Sequence, residues 1–387
     1  MNKKVLLKPR FSGMRLHSLY KSILENPPKG YSIEYNEKNA KEFVYSIDNK
    51  SANPIIRQLI YNLKPVLYIL AQRLQRNNFD YDLIYASQHV LYNYEKPWIT
   101  DCEFANAFAA FGNISLVKES IRKRLEAKSC KFILPWSNWS KETILNSIDC
   151  RNLKEKIRVV RYTVKPKKFT KIKHDGINFL FVGSSNPMNI RNIQFKNLKE
   201  TILAFNKVST KYDEISLTIR AHVPEELKQN SNKNSKIKII KSFLREEELF
   251  DLYANSDIFV LPSHETSGIS LLDAMSFEIP AIAMNIYDIP EVINHLKNGV
   301  LLSPPPQMKY YTKTKAPNDH SPDFINGMTK YSEYIVNQLQ EYFILLIENS
   351  ELRRKLGIEA RKTIENGEFS LENQNKNLFS VFEEAAK

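Results

Sequence analysis

The chain has 387 residues, 42% of them hydrophobic and 11% aromatic, which is enough apolar material for two ordinary domains and excludes a disordered or fibrous chain. The net charge is +13, from 56 Lys and Arg against 43 Asp and Glu. The three cysteines, Cys102, Cys130 and Cys150, cannot all pair and show no metal-ligand spacing, so a disulfide scaffold or zinc module is excluded and reduced thiols in a cytoplasmic protein are expected.

Taken in chain order, the apolar core VLL at 5–7 is too short for a signal peptide and runs into Lys8-Pro9-Arg10. Residues 4–7 read as a strand and 81–86 (YDLIYA) as a second. A third, 98–100, follows Pro97, and a fourth, 131–134, precedes Pro135. Amphipathic stretches at 55–75 and 116–128 carry apolar residues at helical spacing. The most apolar internal run, 65–71, falls far short of the about 20 residues that span a bilayer, so a soluble or membrane-peripheral protein is expected. The basic, proline-containing segment 161–173 breaks the alternation and reads as a linker.

After it the alternation restarts, with strands at 179–182, 215–219, 237–240, 258–261 and 281–284 and helices at 198–206, 246–254 and 268–277. Residues 303–323 are proline-rich and polar, a surface loop, and 331–387 is mostly helical. Strands alternating with helices predict parallel sheets flanked by helices, here two doubly wound α/β domains in series at 1–165 and 166–387.

The most informative run is 258–304, IFVLPSHETSGISLLDAMSFEIPAIAMNIYDIPEVINHLKNGVLLSP. A buried strand stops at Pro262, a loop carries Glu265, and a helix opens at Gly268-Ile269-Ser270. Ligands of open α/β sheets bind beyond the carboxyl ends of the strands. A helix N-terminus there offers backbone N–H groups and a positive dipole end to a phosphate. Asp273 lies about one and a half turns into that helix, so it and Glu265 can border one ligand.

This run resembles the GT-B glycosyltransferases of family 4, the "group 1" glycosyl transferases, whose loop and helix read Pro-Ser-x-x-Glu-x-x-Gly-x-x-x-x-Glu. Glu265 and Gly268 match, Asp273 stands at the second glutamate, and Pro262-Ser263 match with one residue fewer before Glu265. Ile279-Pro280-Ala281, Asp288-Ile289-Pro290-Glu291 and Asn298-Gly299 follow in the same order. Upstream, Phe181-Val182-Gly183 with Arg191 and Lys196 resembles the strand and loop that hold the donor diphosphate, and 241–253 (KSFLREEELFDLY) the stretch that meets the nucleobase. The likeness covers 178–387 closely and 1–160 in outline.

The resemblance implies two Rossmann-like domains facing across a cleft, with the final helix packing back on the first. It implies retaining transfer of a sugar from a UDP- or GDP-sugar to an acceptor hydroxyl, in cell-surface glycan, glycolipid or protein glycosylation. Glu265 would bond donor-sugar hydroxyls and Asp273 the ribose. Arg191, Lys196 and the N–H groups at Gly268, Ile269 and Ser270 would hold the diphosphate, with neither metal nor cofactor. The one Asp-x-Asp, Asp80-Tyr81-Asp82, opens a strand and so sits at the wrong end of the sheet for a metal–diphosphate site. Asp273, one methylene shorter than Glu, also fits an alternative: an inactive GT-B protein serving as a binding or scaffold subunit.

In the first half, Glu103 stands where the family often places an active-site His, with Asp101 two residues earlier, and either could orient or deprotonate an acceptor hydroxyl. His89, at the end of another strand, is a weaker candidate, and the family's glycine-rich first loop is reduced to Gly13. From 118 to 173 there are 17 Lys and Arg against 5 Asp and Glu. Together with the basic amphipathic pattern at 115–128, this suits an anionic membrane surface at the inner face of the cell membrane and a lipid-linked saccharide or glycan acceptor. No aromatic-interleaved basic motif points to nucleic acid.

Overall fold

The structure, a computed structural model, describes residues 2–10, 18–35, 54–75, 79–172, 174–184, 190–232, 234–241, 243–266 and 268–387. The chain forms two compact units, Met1–Thr163 with Lys309–Pro322 and Leu371–Lys387, and Val164–Met308 with Asp323–Ser370.

The first unit contains β1 (Lys3–Lys8), α1 (Lys21–Glu25), β2 (Tyr31–Glu34), α2 (Pro54–Leu74), β3 (Leu83–Ala86), β4 (Trp98–Cys102), α3 (Lys118–Glu126), β5 (Cys130–Pro135) and α4 (Asn138–Ser147). Its strands run parallel in the order β2-β1-β3-β4-β5. Helices cover both faces of such a sheet, so its strands read as unbroken apolar runs; Leu83, Ile84, Tyr85 and Ala86 of β3 are all buried. Pro65 sits inside α2. It has no N–H to give the carbonyl of Tyr61 one turn back, and the Asn113 N–H donates to that carbonyl instead, at 2.9 Å.

The second unit contains β6 (Ile177–Val182), α5 (Ile190–Phe195), α6 (Leu198–Ser209), β7 (Ile215–Arg220), α7 (Glu225–Asn232), β8 (Ile237–Ile240), α8 (Glu246–Ala254) and β9 (Ile258–Leu261). It continues through α9 (Ile269–Ser276), β10 (Ala281–Met284), α10 (Ile289–Val292), β11 (Gly299–Leu302), α11 (Pro322–Lys330), α12 (Ser332–Glu348) and α13 (Ser350–Glu365). The parallel order is β11-β10-β9-β6-β7-β8. The chain winds outward from β6 to β8 and then returns to lay β9 on the other side of β6. The strand order therefore reverses between β6 and β9, the position where doubly wound sheets bind their ligands. Phe179, Phe205 and Phe343 pack the sheet against its helices, with ring centroids 5.7 and 4.8 Å from Phe179.

The last helix, α14 (Leu371–Ala385), belongs to the first unit. Phe382 packs on Tyr31 and Tyr85, and Glu383 pairs with Lys3 at 3.0 Å. Within the segment predicted as a linker, Arg161, Tyr162 and Thr163 are buried in the first unit, whereas Phe169 stacks near Phe277 in the second. The proline-rich loop is likewise divided, since Lys309–Pro322 clusters with the first unit; there the Trp139 indole donates to the Lys315 carbonyl at 3.0 Å.

Gly357 of α13 rides directly on the turn after α9, where a Cβ would stand 2.1 Å from the Glu278 carbonyl oxygen. Gly357→Ala should therefore lower the unfolding free energy of the second unit by about 2 kcal/mol, with a melting point several degrees lower in calorimetry. An unchanged melting point would show that α13 can shift at no cost.

Candidate functional site

The site grows from the loops that leave the carboxyl ends of β6, β7 and β9. Lys196 follows α5 and is half-buried. Burial pulls its ammonium below the ordinary lysine range, while the Glu265 carboxylate opposes that pull and Arg220 reinforces it, which places the three side chains within electrostatic reach of one another. Arg220, the last residue of β7, donates from Nη1 to the Gly183 carbonyl at 3.0 Å. Its Nε is buried and finds no partner among the described residues. Tyr253 of α8 is buried beside it; burial and the Asp273 carboxylate push the phenol well above its usual range, and Arg220 pulls the other way. The Tyr253 hydroxyl donates to the Ser270 carbonyl at 3.3 Å, which ties α8 to the first turn of α9.

Gly268 is the N-cap of α9, in an extended conformation (φ −119°, ψ 168°), and has no side chain with which to cap the helix. A Cβ at Gly268 would meet nothing within 4 Å. Neither backbone conformation nor packing requires glycine here. What its missing side chain leaves is open space beside the N–H groups of Ile269 and Ser270, at the positive end of a helix. Asp273 is buried in the second turn of α9, and Glu265 is half-buried in the loop before it, where its N–H donates to Ser263 Oγ at 3.1 Å.

Two loops are held together underneath. Asn197, in the left-handed conformation (φ 53°) between α5 and α6, donates its side-chain amide to the Pro262 carbonyl at 2.7 Å and to His264 Nε2 at 3.0 Å. The backbone N–H of His264 donates to the Phe195 carbonyl at 2.7 Å. Burial lowers the His264 pKa to about 3, so the ring is neutral and can accept the bond from the Asn197 amide. Of the residues expected in the donor site, Lys196, Glu265, Gly268, Ile269, Ser270 and Asp273 are brought together; Arg191 lies in α5, and its side chain falls outside the described residues. Arg220 and Tyr253 were missed. Their only sequence signal is a cation closing a predicted strand and an aromatic on the inner face of a predicted helix, patterns shared by many core positions.

The first unit corrects two expectations. Asp101, expected to meet an acceptor, is 1% exposed and enclosed. Its carboxylate accepts from the Tyr20 hydroxyl at 2.8 Å, the Tyr85 hydroxyl at 3.1 Å, the Trp136 indole at 3.0 Å and the Gln88 N–H at 2.8 Å. Burial pushes its pKa up to about 6 against the pull of those four donors. A carboxylate so enclosed is an architectural hub, not a group that reaches an acceptor hydroxyl. Glu103, two residues on, is half-buried just beyond β4. His89 is fully buried, with Nδ1 3.0 Å from the Ser87 carbonyl, and burial holds its ring neutral. Asp82 accepts the Lys4 N–H at 2.7 Å at the opening of the sheet, which accounts for the Asp-x-Asp. All three thiols are free and buried.

The second correction concerns the basic stretch 118–173, which is not one free face. Arg122 pairs with Glu119 and Glu126, Arg124 binds the Leu91 and Tyr94 carbonyls, Lys156 binds three carbonyls at the end of α3, and Arg158 pairs with Glu384. The apolar residues Ile121 and Leu125 of α3 are buried in the first unit's core, so they do not face outward. No helix among the described residues is long and apolar enough to cross a membrane.

Residues 169–313, which hold this site, match the family described as glycosyl transferases group 1. The match is confined to that segment. Sulfoquinovosyl transferase SQD2 of Arabidopsis thaliana is 40% identical over 65 residues, 16% of this chain and 13% of that protein's length. Among solved structures, HepE of Anabaena in complex with UDP-glucose is 12% identical, with 99% of this chain and 100% of that one covered at a TM-score of 0.60. Sucrose-phosphate synthase of Thermosynechococcus elongatus is 13% identical over 99% and 98%, with a TM-score of 0.61. The fold is GT-B, two parallel-sheet α/β domains.

Two outcomes follow from these contacts. Asp101→Ala should strip the acceptor from three buried donors of the first unit and cost about 3 kcal/mol in denaturant unfolding; a loss below about 1 kcal/mol would return Asp101 to the list of surface groups. His264 titrates near 6.5 when unfolded and near 3 when folded. Its stabilising contribution is thus complete above pH 6.5 and fades as pH falls toward 3, by up to about 1.4 kcal/mol per pH unit. Unfolding free energies measured across that window should fall more steeply for the natural protein than for His264→Gln.

Proposed function

We propose that this protein transfers a sugar, with retention, from a UDP- or GDP-sugar to an acceptor hydroxyl. One observation carries the reading: two cations, Lys196 and Arg220, lie within electrostatic reach of Glu265 and of Tyr253, which bonds the first turn of α9 beside Asp273, at the switch point of the sheet. The positive groups suit a diphosphate and the carboxylates suit sugar and ribose hydroxyls. HepE, which has the same fold, is described in complex with UDP-glucose.

Cleaving the bond between sugar and diphosphate leaves negative charge on the departing oxygen and positive character on the sugar. Lys196, Arg220 and the N–H groups of Ile269 and Ser270 would stabilise the leaving diphosphate without reorganising, so the reaction in this reading needs no metal. Arg191, in the helix before Lys196, is proposed as a further diphosphate ligand. Glu265 would fix the donor sugar through its hydroxyls. Asp273 would take the ribose, reaching one methylene less far than Glu. Phe243, 82% exposed just beyond β8, offers a face on which a base can stack. Glu103 is the residue proposed to orient the acceptor hydroxyl.

Three variants test this reading with nucleotide-release and nucleotide-binding assays. Glu265→Ala should abolish transfer while leaving the melting point within about 2 °C. Arg220→Gln should reduce kcat about 100-fold, the usual cost of one missing group that stabilises developing charge. Gly268→Ala, whose new methyl group meets no protein atom, should leave stability unchanged and weaken nucleotide binding about tenfold or more. Full transfer by Glu265→Ala would overturn the assignment. Nucleotide binding with no turnover on any sugar donor would make the chain a binding subunit.

A further inference from the structure

The apolar pattern that drew attention to α3 is spent in the core, but α2 carries one that is not. Leu59, Leu63, Val66, Leu67, Leu70 and Leu74 are all substantially exposed, Leu67 at 66% and Leu74 at 83%. At about 100° per residue they fall within one arc of roughly 100°. The opposite face, with Pro65, Tyr68, Ile69 and Gln72, is buried in the first unit. A helix of 21 residues, about 30 Å long, thus presents a continuous apolar stripe outward. Leu116, 55% exposed, lies across a shallow groove from Val66 and Leu70 and extends the same surface.

Charge selects the occupant. Between residues 54 and 74 the sequence holds Arg57, Lys64 and Arg73 and no Asp or Glu. Lys118, exposed at the start of α3, borders the groove, and the acid beside it, Glu119, is paired with Arg122 at 3.0 Å. A second copy docked on this stripe would set two cationic helices of a +13 chain against each other. An apolar arc bordered by cations, flat and as long as the helix, matches the interface of an anionic bilayer, into which such a face sinks about 5–10 Å.

We propose that α2 docks the first unit onto an anionic membrane surface, with the leucine stripe in the acyl boundary and Lys64, Arg73 and Lys118 at the headgroups. Docking of this kind needs no donor and no turnover, so it stands or falls separately from sugar transfer.

Co-sedimentation of the full chain with vesicles tests it. Phosphatidylcholine vesicles containing phosphatidylglycerol should bind the protein, phosphatidylcholine alone should bind it poorly, and high salt should weaken the binding. Leu63→Gln, Leu67→Gln and Leu70→Gln combined should reduce partitioning at least tenfold. Because those side chains are exposed, the thermal unfolding curve should not move. Lys64→Gln with Lys118→Gln should weaken binding roughly fivefold per charge on the anionic vesicles. Equal sedimentation of the natural chain and the leucine variant would overturn the proposal. So would a dimer in light scattering that the leucine variant converts to a monomer, since the stripe would then belong to a second copy.

Discussion

Asn197 makes two hydrogen bonds through one side-chain amide, to the Pro262 carbonyl and to the His264 ring, and the second unit's site depends on them. The cation loop after β6 and the carboxylate loop after β9 come from distant parts of the sequence, and parallel pairing brings only their strands together. Beyond the strands nothing in sheet geometry fixes one loop against the other. The amide does, alongside the His264 backbone N–H on the Phe195 carbonyl, because both of its partners are buried and neither can turn to water instead. Its left-handed backbone, which Asn tolerates better than most residues, aims the side chain there. Lys196 is its neighbour in the chain and Glu265 is the neighbour of its partner, so the spacing of cation and carboxylate is set by these bonds together with that of the His264 backbone N–H to the Phe195 carbonyl.

The two units treat buried charge in opposite ways. In the first, the Asp101 carboxylate is surrounded by four donors and its bonding capacity is used up within the fold. In the second, burial pulls the Lys196 ammonium down, and the buried Arg220 Nε finds no partner among the described residues. Glu265 and the Gly183 carbonyl offset part of that desolvation cost, and a bound anion would offset more. A saturated buried charge builds structure, whereas an unsaturated one is poised to bind.

Much of this was legible in the sequence because period and punctuation agreed. The strands β8, β9 and β10 and the helix α8 fall where their apolar runs and stops put them, and the run from Pro262 to Asp273 announced its loop and helix directly. Edge strand β2 was not legible, since four residues with one buried position give no repeat to detect. Asp101 was misread because a carboxylate at a strand end looks the same in sequence whether it faces solvent or three aromatic donors from other segments. The amphipathic pattern of α3 was read correctly as a pattern and assigned the wrong surface. Periodicity says that one face is apolar, and only packing says what covers it. Arg220 acquires its meaning from Lys196 and Tyr253, neither of which is near it in the chain.

The first unit is assembled from three stretches of chain, the last of them α14 at the extreme C-terminus. A ribosome releases the residues of β1 to β5 long before it makes the helix whose Phe382 covers Tyr31 and Tyr85. Through most of synthesis this sheet is therefore an unfinished layer, with aromatic surface waiting for a cover that is still more than 200 residues away. The second unit, made in between, can close on all but its own last helices first. The order of completion runs against the order of synthesis, and the nascent first unit is the part of this molecule with most to gain from a chaperone.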